Sequence, residues 1–321
     1  MLLTVSFFTL NGCTKTGTAN SGATLKFGSA VYVSPLTATD ATADKDGSGK
    51  ADITVAAVTV DASGNIITCA LDTASNTVHF SADGKAIANP EFKTKYESGK
   101  DYGMVAYGGA VKEWYEQADT FETLVIGKNL EQVKALVTAS GKGTDEVISA
   151  GCTIAVNEFV GAIEKAYNAA SVSTVTADHT IKVTAHTDQT CTDATADKDG
   201  NNKVATTFFA AAVDADGKVV AASSDCVEVD FTFNVDGNTT LDTAKPILSK
   251  KEYGDSYGMV AYGGAVKEWY EQAAAFDAAC IGKTAAQIAT LATADGKGAQ
   301  ALKQAGCTID VSGFIKAAAK I

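Results

Sequence analysis

The chain has 321 residues, 46% of them hydrophobic and 20% charged, a globular composition long enough for about two ordinary domains. Its formal net charge is −12 and every one of the 26 basic residues is lysine, so the clustered cations that nucleic-acid binding needs are missing and that class is set aside. Without arginine, any anion site must use lysine, hydroxyls or backbone N–H groups.

The chain opens with a short apolar run ending in Leu10-Asn11-Gly12-Cys13. This resembles a bacterial lipobox, with residues 1–13 as a lipoprotein signal-like segment and Cys13 as the lipid attachment point. The run is too short to span a bilayer, and no lysine precedes it. The other reading is the start of a buried strand. A Gly/Ser/Thr/Asn-rich stretch, residues 14–25, follows at once and suits a tether, which places the expected protein outside the cytoplasm on a membrane anchor.

Residues 26–167 form a first unit. Ile53 to Val60 is β-branched and apolar, Asp61 to Gly64 reads as a turn, and Asn65 to Leu71 as the returning strand. Thr77 to Phe80 alternates, and Asp83-Gly84 is a second hairpin signal. The period then changes. Val111, Trp114, Tyr115, Ala118, Phe121 and Leu124 recur at three- and four-residue spacings, predicting a helix that starts after Gly108-Gly109. Asn129 suits the N-cap of a second short helix. A turn at Gly141 to Gly143 leads to another. Gly151 to Val156 reads as strand-like, before a last amphipathic helix through Phe159, Ile163 and Ala166.

Residues 168–178, rich in Ala, Ser, Thr and Val, read as a linker without helix or strand. Residues 179–321 then repeat the plan, with turn signals at Asp216-Gly217 and Asp236-Gly237 and an N-cap at Thr284. The two stretches align at an offset of 153 early on and 155 later. The segment Tyr102 to Ala118 recurs unchanged as Tyr257 to Ala273, while its surroundings have drifted. The expected fold is therefore α+β: two tandem repeats, each an antiparallel β-meander followed by three to four helices packed on one face.

Of the other cysteines, only Cys152 and Cys307 are equivalent, so small buried thiols are expected rather than a disulfide framework. Thr42 to Gly47 evokes a calcium loop, but it begins with threonine and has Ile53 where the acidic twelfth ligand belongs; a solvated acidic turn is expected. The three histidines lack ligand spacing, and no nucleophile–base arrangement recurs in both halves, so neither a metal centre nor a hydrolase is indicated.

Ser149-Ala150-Gly151-Cys152-Thr153-Ile154-Ala155-Val156 and Gln304-Ala305-Gly306-Cys307-Thr308-Ile309-Asp310-Val311 resemble the end of bacterial FMN-binding domains. In that family a Ser-Gly-Ala-Thr-x-Ser/Thr motif precedes a terminal helix, and its threonine is esterified to FMN through the phosphate by a flavin transferase. The strand run from Val58 to Ile66 is also similar to that family's core. Here the motif departs from the family's: cysteine replaces alanine, and Ala155 and Asp310 replace the downstream hydroxyl. The resemblance implies Thr153 and Thr308 as attachment points, with a membrane electron donor supplying a relay at the cell surface.

For such a flavin, Tyr107 and Tyr262 would offer aromatic walls, as would Trp114 and Trp269 unless these are simply core. Gly108, Gly109, Gly263 and Gly264 would let a phosphate approach a helix N-terminus, with Lys112 and Lys267 adding charge. Either role makes the chain an electron-transfer or binding protein more than a catalyst of turnover. The alternative is a non-catalytic envelope repeat protein that keeps the fold without flavin, as a structural or binding module.

Overall fold

The computed structural model describes residues 22–321, so Cys13, the apolar run before it and most of the tether lie outside the described residues. The β-branched stretches form two antiparallel sheets. The first contains β1 (Lys26–Val33), β2 (Thr37–Thr39), β3 (Gly47–Val60), β4 (Ile66–Phe80), β5 (Ala86–Ile87) and β6 (Ser171–Val172). Its order is β5-β4-β3-β1-β6, with β2 also paired to β3. The second contains β7 (Thr180–Thr192), β8 (Gly200–Val213) and β9 (Val219–Phe233), in that order.

Five helices follow the first meander: α1 (Lys95–Ser98), α2 (Trp114–Val125), α3 (Leu130–Lys134), α4 (Asp145–Ala150) and α5 (Asn157–Asn168). Five follow the second: α6 (Lys250–Tyr253), α7 (Trp269–Cys280), α8 (Ala285–Ile288), α9 (Gln300–Gln304) and α10 (Ser312–Ala318). Capping sets several starts: Asn129 accepts from Gln132 N at the head of α3, and Thr284 N donates to Gln287 ahead of α8.

From Ile53 to Val60, β3 is buried on both faces, which explains a stretch whose only polar members are Thr54 and Thr59. Ala56, Val58 and Val60 of β3 face a core completed by Trp114, Phe121, Phe159 and Ile163 from the helices. Ala51, Ile53 and Val55 face the opposite way and meet Val204, Phe208, Val229 and Phe231 of the second sheet. The second sheet buries Phe209 and Ala211 against its own helices, with Trp269, Phe276 and Phe314. The molecule is thus layered as helices, sheet, sheet, helices.

The contacts between sheets are reciprocal. Phe80 stacks on Phe233, its counterpart at the offset of 153, with ring centroids 4.5 Å apart and planes within 3°. Ala41 N donates to Gly237 O and Ala194 N to Gly84 O, both at 2.8 Å. Lys165 pairs with Glu252 and Lys320 with Glu97, both at 2.5 Å. A residue meets its own counterpart only across a two-fold relation, and the swapped partners obey the same relation. Polar side chains also cross: Asn76 Nδ2 donates to Thr206 Oγ1 and Asn202 Nδ2 to His79 O.

Five sequence expectations need correction. Five helices follow each meander among the described residues, not three to four, because the one-turn α1 and α6 close by capping boxes at Thr94 and Ser249 ahead of the exposed loops. The helix expected after Gly109 begins at Trp114, because Glu113, in extended conformation, takes the N-cap position, and Val111 lies outside the helix. Asn65 to Leu71 and Thr77 to Phe80 are parts of one strand, since the polar stretch between them runs against the other sheet. Gly151 to Val156 is no strand; Ala155 makes a single bridge to Lys142. The linker contains β6, whose Ser171 and Val172 pair with Phe27 and Lys26. None of the helices among the described residues is long and apolar enough to cross a membrane.

Candidate functional site: two braced loops

The unchanged segment divides into two parts. From Trp114 onward it is helix α2 and core: Trp114, Gln117 and Ala118 are buried. Before Trp114 it is an irregular loop at the surface, where Tyr107 is 92% exposed and Val111 96%. Tyr262 and Val266 repeat these values in the second half. Val105 and Val260 are exposed as well.

The loop is held closed from within. Tyr107 N donates to Gly103 O at 2.9 Å, and Gly108 N and Ala110 N both donate to Met104 O at 3.0 Å. Gly103 has φ +78°, and a Cβ there would meet the Tyr107 ring at 2.5 Å, so position and conformation both require glycine. Beneath the loop, the buried Glu113 carboxylate accepts from Met104 N at 2.9 Å and Val105 N at 3.2 Å. Glu268 does the same for Met259 and Val260, at 2.9 and 3.0 Å. Two charge-assisted bonds inside the fold fix the loop to the start of the helix.

A lysine completes the base. Lys95 Nζ sits 5.7 Å from the ring centroids of both Tyr102 and Trp114, and Lys250 Nζ lies 5.2 Å from Tyr257 and 5.6 Å from Trp269. Its acid partner comes from different strands in the two halves. Lys95 lies 3.9 Å from Asp52 on β3, whereas Lys250 lies 2.8 Å from Glu228 on β9. The register explains the exchange, because Asp52 stands opposite Ser75 and Ala205 opposite Glu228. In the second half the carboxylate sits on the facing strand and reaches the equivalent lysine. Neighbouring lysines lower the pKa of both acids against the desolvation that opposes it.

Thr153 and Thr308 lie close by, both exposed. Gln117 Oε1 accepts from Thr153 N at 2.8 Å and Thr153 Oγ1 at 3.1 Å, while its Nε2 donates to Lys112 O at 3.0 Å. Gln272 repeats the arrangement with Thr308 and Lys267 O. Lys112 Nζ donates to the Thr120 hydroxyl, and Lys267 Nζ to Ala305 O.

The residues expected around a flavin are therefore only partly brought together. The two threonines are accessible and sit at the foot of the loop. Trp114 and Trp269 are core, covered by lysine and packed on Phe159 and Phe314, and cannot wall an isoalloxazine. Gly108-Gly109 and Gly263-Gly264 are loop residues several positions before their helices, so they offer no phosphate a helix N-terminus. Tyr107 and Tyr262 face solvent. These residues do not form an enclosed flavin cradle. A cleft of about 470 Å³ lies elsewhere, lined by Phe27, Ser171, Val220, Asp277 and Ile281 among others.

Asp44 and Asp46, in the acidic turn, are exposed. Among the described residues, no group of three or more His, Cys, Asp or Glu side chains is placed to hold a metal ion. Six cysteines are free thiols, and all but Cys191 are buried. Sequence reasoning overlooked Glu113, Gln117 and Lys95. The signal was available, since Glu113 and Gln117 recur as Glu268 and Gln272 inside the unchanged segment, and polar residues kept in both copies invite a structural account.

No protein-family model matches the chain, and neither the curated proteins nor the solved structures provide a match.

Proposed function

We propose that this chain is a binding module of the cell envelope, a tandem duplicate that presents two copies of one aromatic loop to a partner. A single observation carries the reading. Within Tyr102 to Ala118, the residues before Lys112 are mostly exposed, so packing does not require Val105, Tyr107 or Val111, yet all three recur in the second half. Rigid loops with exposed aromatic side chains supply contact area at low entropic cost. Two such loops on one chain multiply weak affinities when both engage, by about 10²-fold or more. Attachment through Cys13 belongs to the same reading; Cys13→Ala would then move the protein from the membrane to the soluble fraction.

The test is binding of the labelled protein to isolated envelope material. Tyr107→Ala and Tyr262→Ala each weaken retention, and the double substitution abolishes it while thermal unfolding is unchanged. Full retention by the folded double variant overturns the proposal.

A second reading is a flavin-bearing electron relay, favoured by the two exposed threonine hydroxyls held in the same way by Gln117 and Gln272. FMN joined there would supply one- and two-electron transfer. Intact mass and visible spectrum after coexpression with a flavin transferase decide it. One or two added FMN masses, lost in Thr153→Ala with Thr308→Ala, support the relay; a colourless protein at its sequence mass removes it.

A further inference from the structure

Each loop is strung between two helices that buried or half-buried carboxylates fasten to a sheet. In the first half, Asp72 on β4 accepts from Tyr96 N of α1 at 3.1 Å and from Thr73 N at 2.7 Å. Glu122 of α2 accepts from Leu71 N at 2.7 Å, and Asp119, one turn earlier, accepts from the Tyr96 hydroxyl at 3.0 Å. The other titratable groups bearing on this cluster are Cys69 on β4, Glu97 on α1, and Tyr115 and Glu116 on α2. Glu97 is paired with Lys320. Among the described residues no lysine pairs with Asp72, Asp119 or Glu122.

The second half is built alike but charged differently. Asp225 accepts from Lys251 N at 3.2 Å and Cys226 N at 2.7 Å, and Asp277 accepts from Ser224 N at 3.0 Å. Where the first half has Tyr96, the second has Lys251, with Nζ 3.9 Å from Asp277; where it has Asp119, the second has Ala274. The remaining groups facing this site are Cys226, Cys280, Cys307, and Glu228 with its own partner Lys250.

We propose that the first half is a pH-responsive mount: ionisation of the Asp72–Asp119–Glu122 cluster loosens α1, α2 and the loop between them from β4, while Lys251 keeps the second mount in place. Asp72 is buried, Asp119 and Glu122 are half-buried on the helix packed against it, and no cation pairs with any of the three, so like charges there oppose one another. Burial pushes Asp72 up to about 6 and Glu122 well above the usual carboxylate range. Burial also raises Asp225 and Asp277, but Lys251 opposes it. Raised acids favour the folded state fully below their unfolded pKa near 4, and that contribution is lost as pH rises through about 6. The device is independent of what the loops bind.

Hydrogen exchange on the full chain, corrected for intrinsic rate, compares peptides covering 94–125 and 249–280 at about pH 5 and about pH 8. Protection in the first falls by roughly tenfold at the higher pH, the part of a two-unit displacement of one group that is still to be lost above pH 5. Protection in the second falls by much less. Tyr96→Lys flattens the first response, and Lys251→Tyr sensitises the second. Equal responses in the two halves, or an unchanged response in Tyr96→Lys, overturn the proposal. If that variant fails to fold, Glu122→Gln keeps the acceptor for Leu71 N without the charge. An undiminished response there has the same force.

Discussion

Gln117 binds Thr153 through both the backbone N–H and the hydroxyl, so an exposed threonine common to the two halves is tied to the main helix by a buried amide. The same amide holds Lys112 O, and with it the end of the exposed loop. Truncation leaves two N–H groups, of Thr153 and Ile154, without their acceptor. Gln117→Ala is expected to cost about 2–3 kcal/mol, whereas Thr153→Val, which removes only a surface hydroxyl bond, costs about 1 kcal/mol or less. Denaturant titration of the two variants checks the order; equal costs would show that the amide does not brace the loop.

Glu113 has a different kind of role. Both its oxygens accept, so Glu113→Gln places an amide N–H against a backbone N–H and loses one bond outright. The expected result is faster amide exchange at Met104 and Val105, by about tenfold, with a loss of about 1.5–3 kcal/mol in stability. Exchange unchanged at these two amides would mean the loop is held by its internal turns alone.

The travelling carboxylate invites a rescue experiment. Asp52→Ala strips Lys95 and Lys50 of their shared partner, which lies 2.7 Å from Lys50. Adding Ser75→Glu recreates the arrangement of Glu228, which serves Lys250 and Lys203. The single variant is expected to lose about 1–2 kcal/mol, the pair being only partly exposed, and the double to recover most of it. Additive losses in thermal unfolding would refute the equivalence.

Phe80 and Phe233, at the ends of β4 and β9, form the stacked contact between counterparts, and both are fully buried. Either one changed to alanine is expected to cost about 3–5 kcal/mol. The double variant should cost less than the sum, because the second deletion removes a partner already lost. By contrast, Lys165→Ala and Lys320→Ala, which break half-exposed ion pairs, should each cost about 1 kcal/mol or less and less still in high salt. Calorimetry across the set separates the two contributions.

Much of the strand layout is legible in the sequence, because Asp61 to Gly64 and Asp83-Gly84 punctuate β-branched runs and their conformations demand what those residues supply. Gly64 and Gly84 both take positive φ. The helix start was misread because Val111 falls on the same three- and four-residue spacing as Trp114, and spacing alone cannot distinguish a helical position from an exposed loop residue nearby. The face-to-face packing of the sheets was foreshadowed by the apolar run at Val55 to Val58, which one buried face could not explain. The bracing residues stayed hidden because glutamate and glutamine on a helix ordinarily read as a solvated face, and only the backbone N–H groups of a distant loop give them a buried purpose.

The stack of Phe80 on Phe233 has a consequence for how such a molecule can change. In an assembly of two identical chains, every substitution appears twice and the pair remains alike by necessity. Here both rings belong to one chain, so a mutation falls on one side only, and Tyr96 in one half can stand against Lys251 in the other, or Asp52 against Glu228, without a matching change across the contact. One chain thus keeps reciprocal contacts between its halves while each site carries its own chemistry.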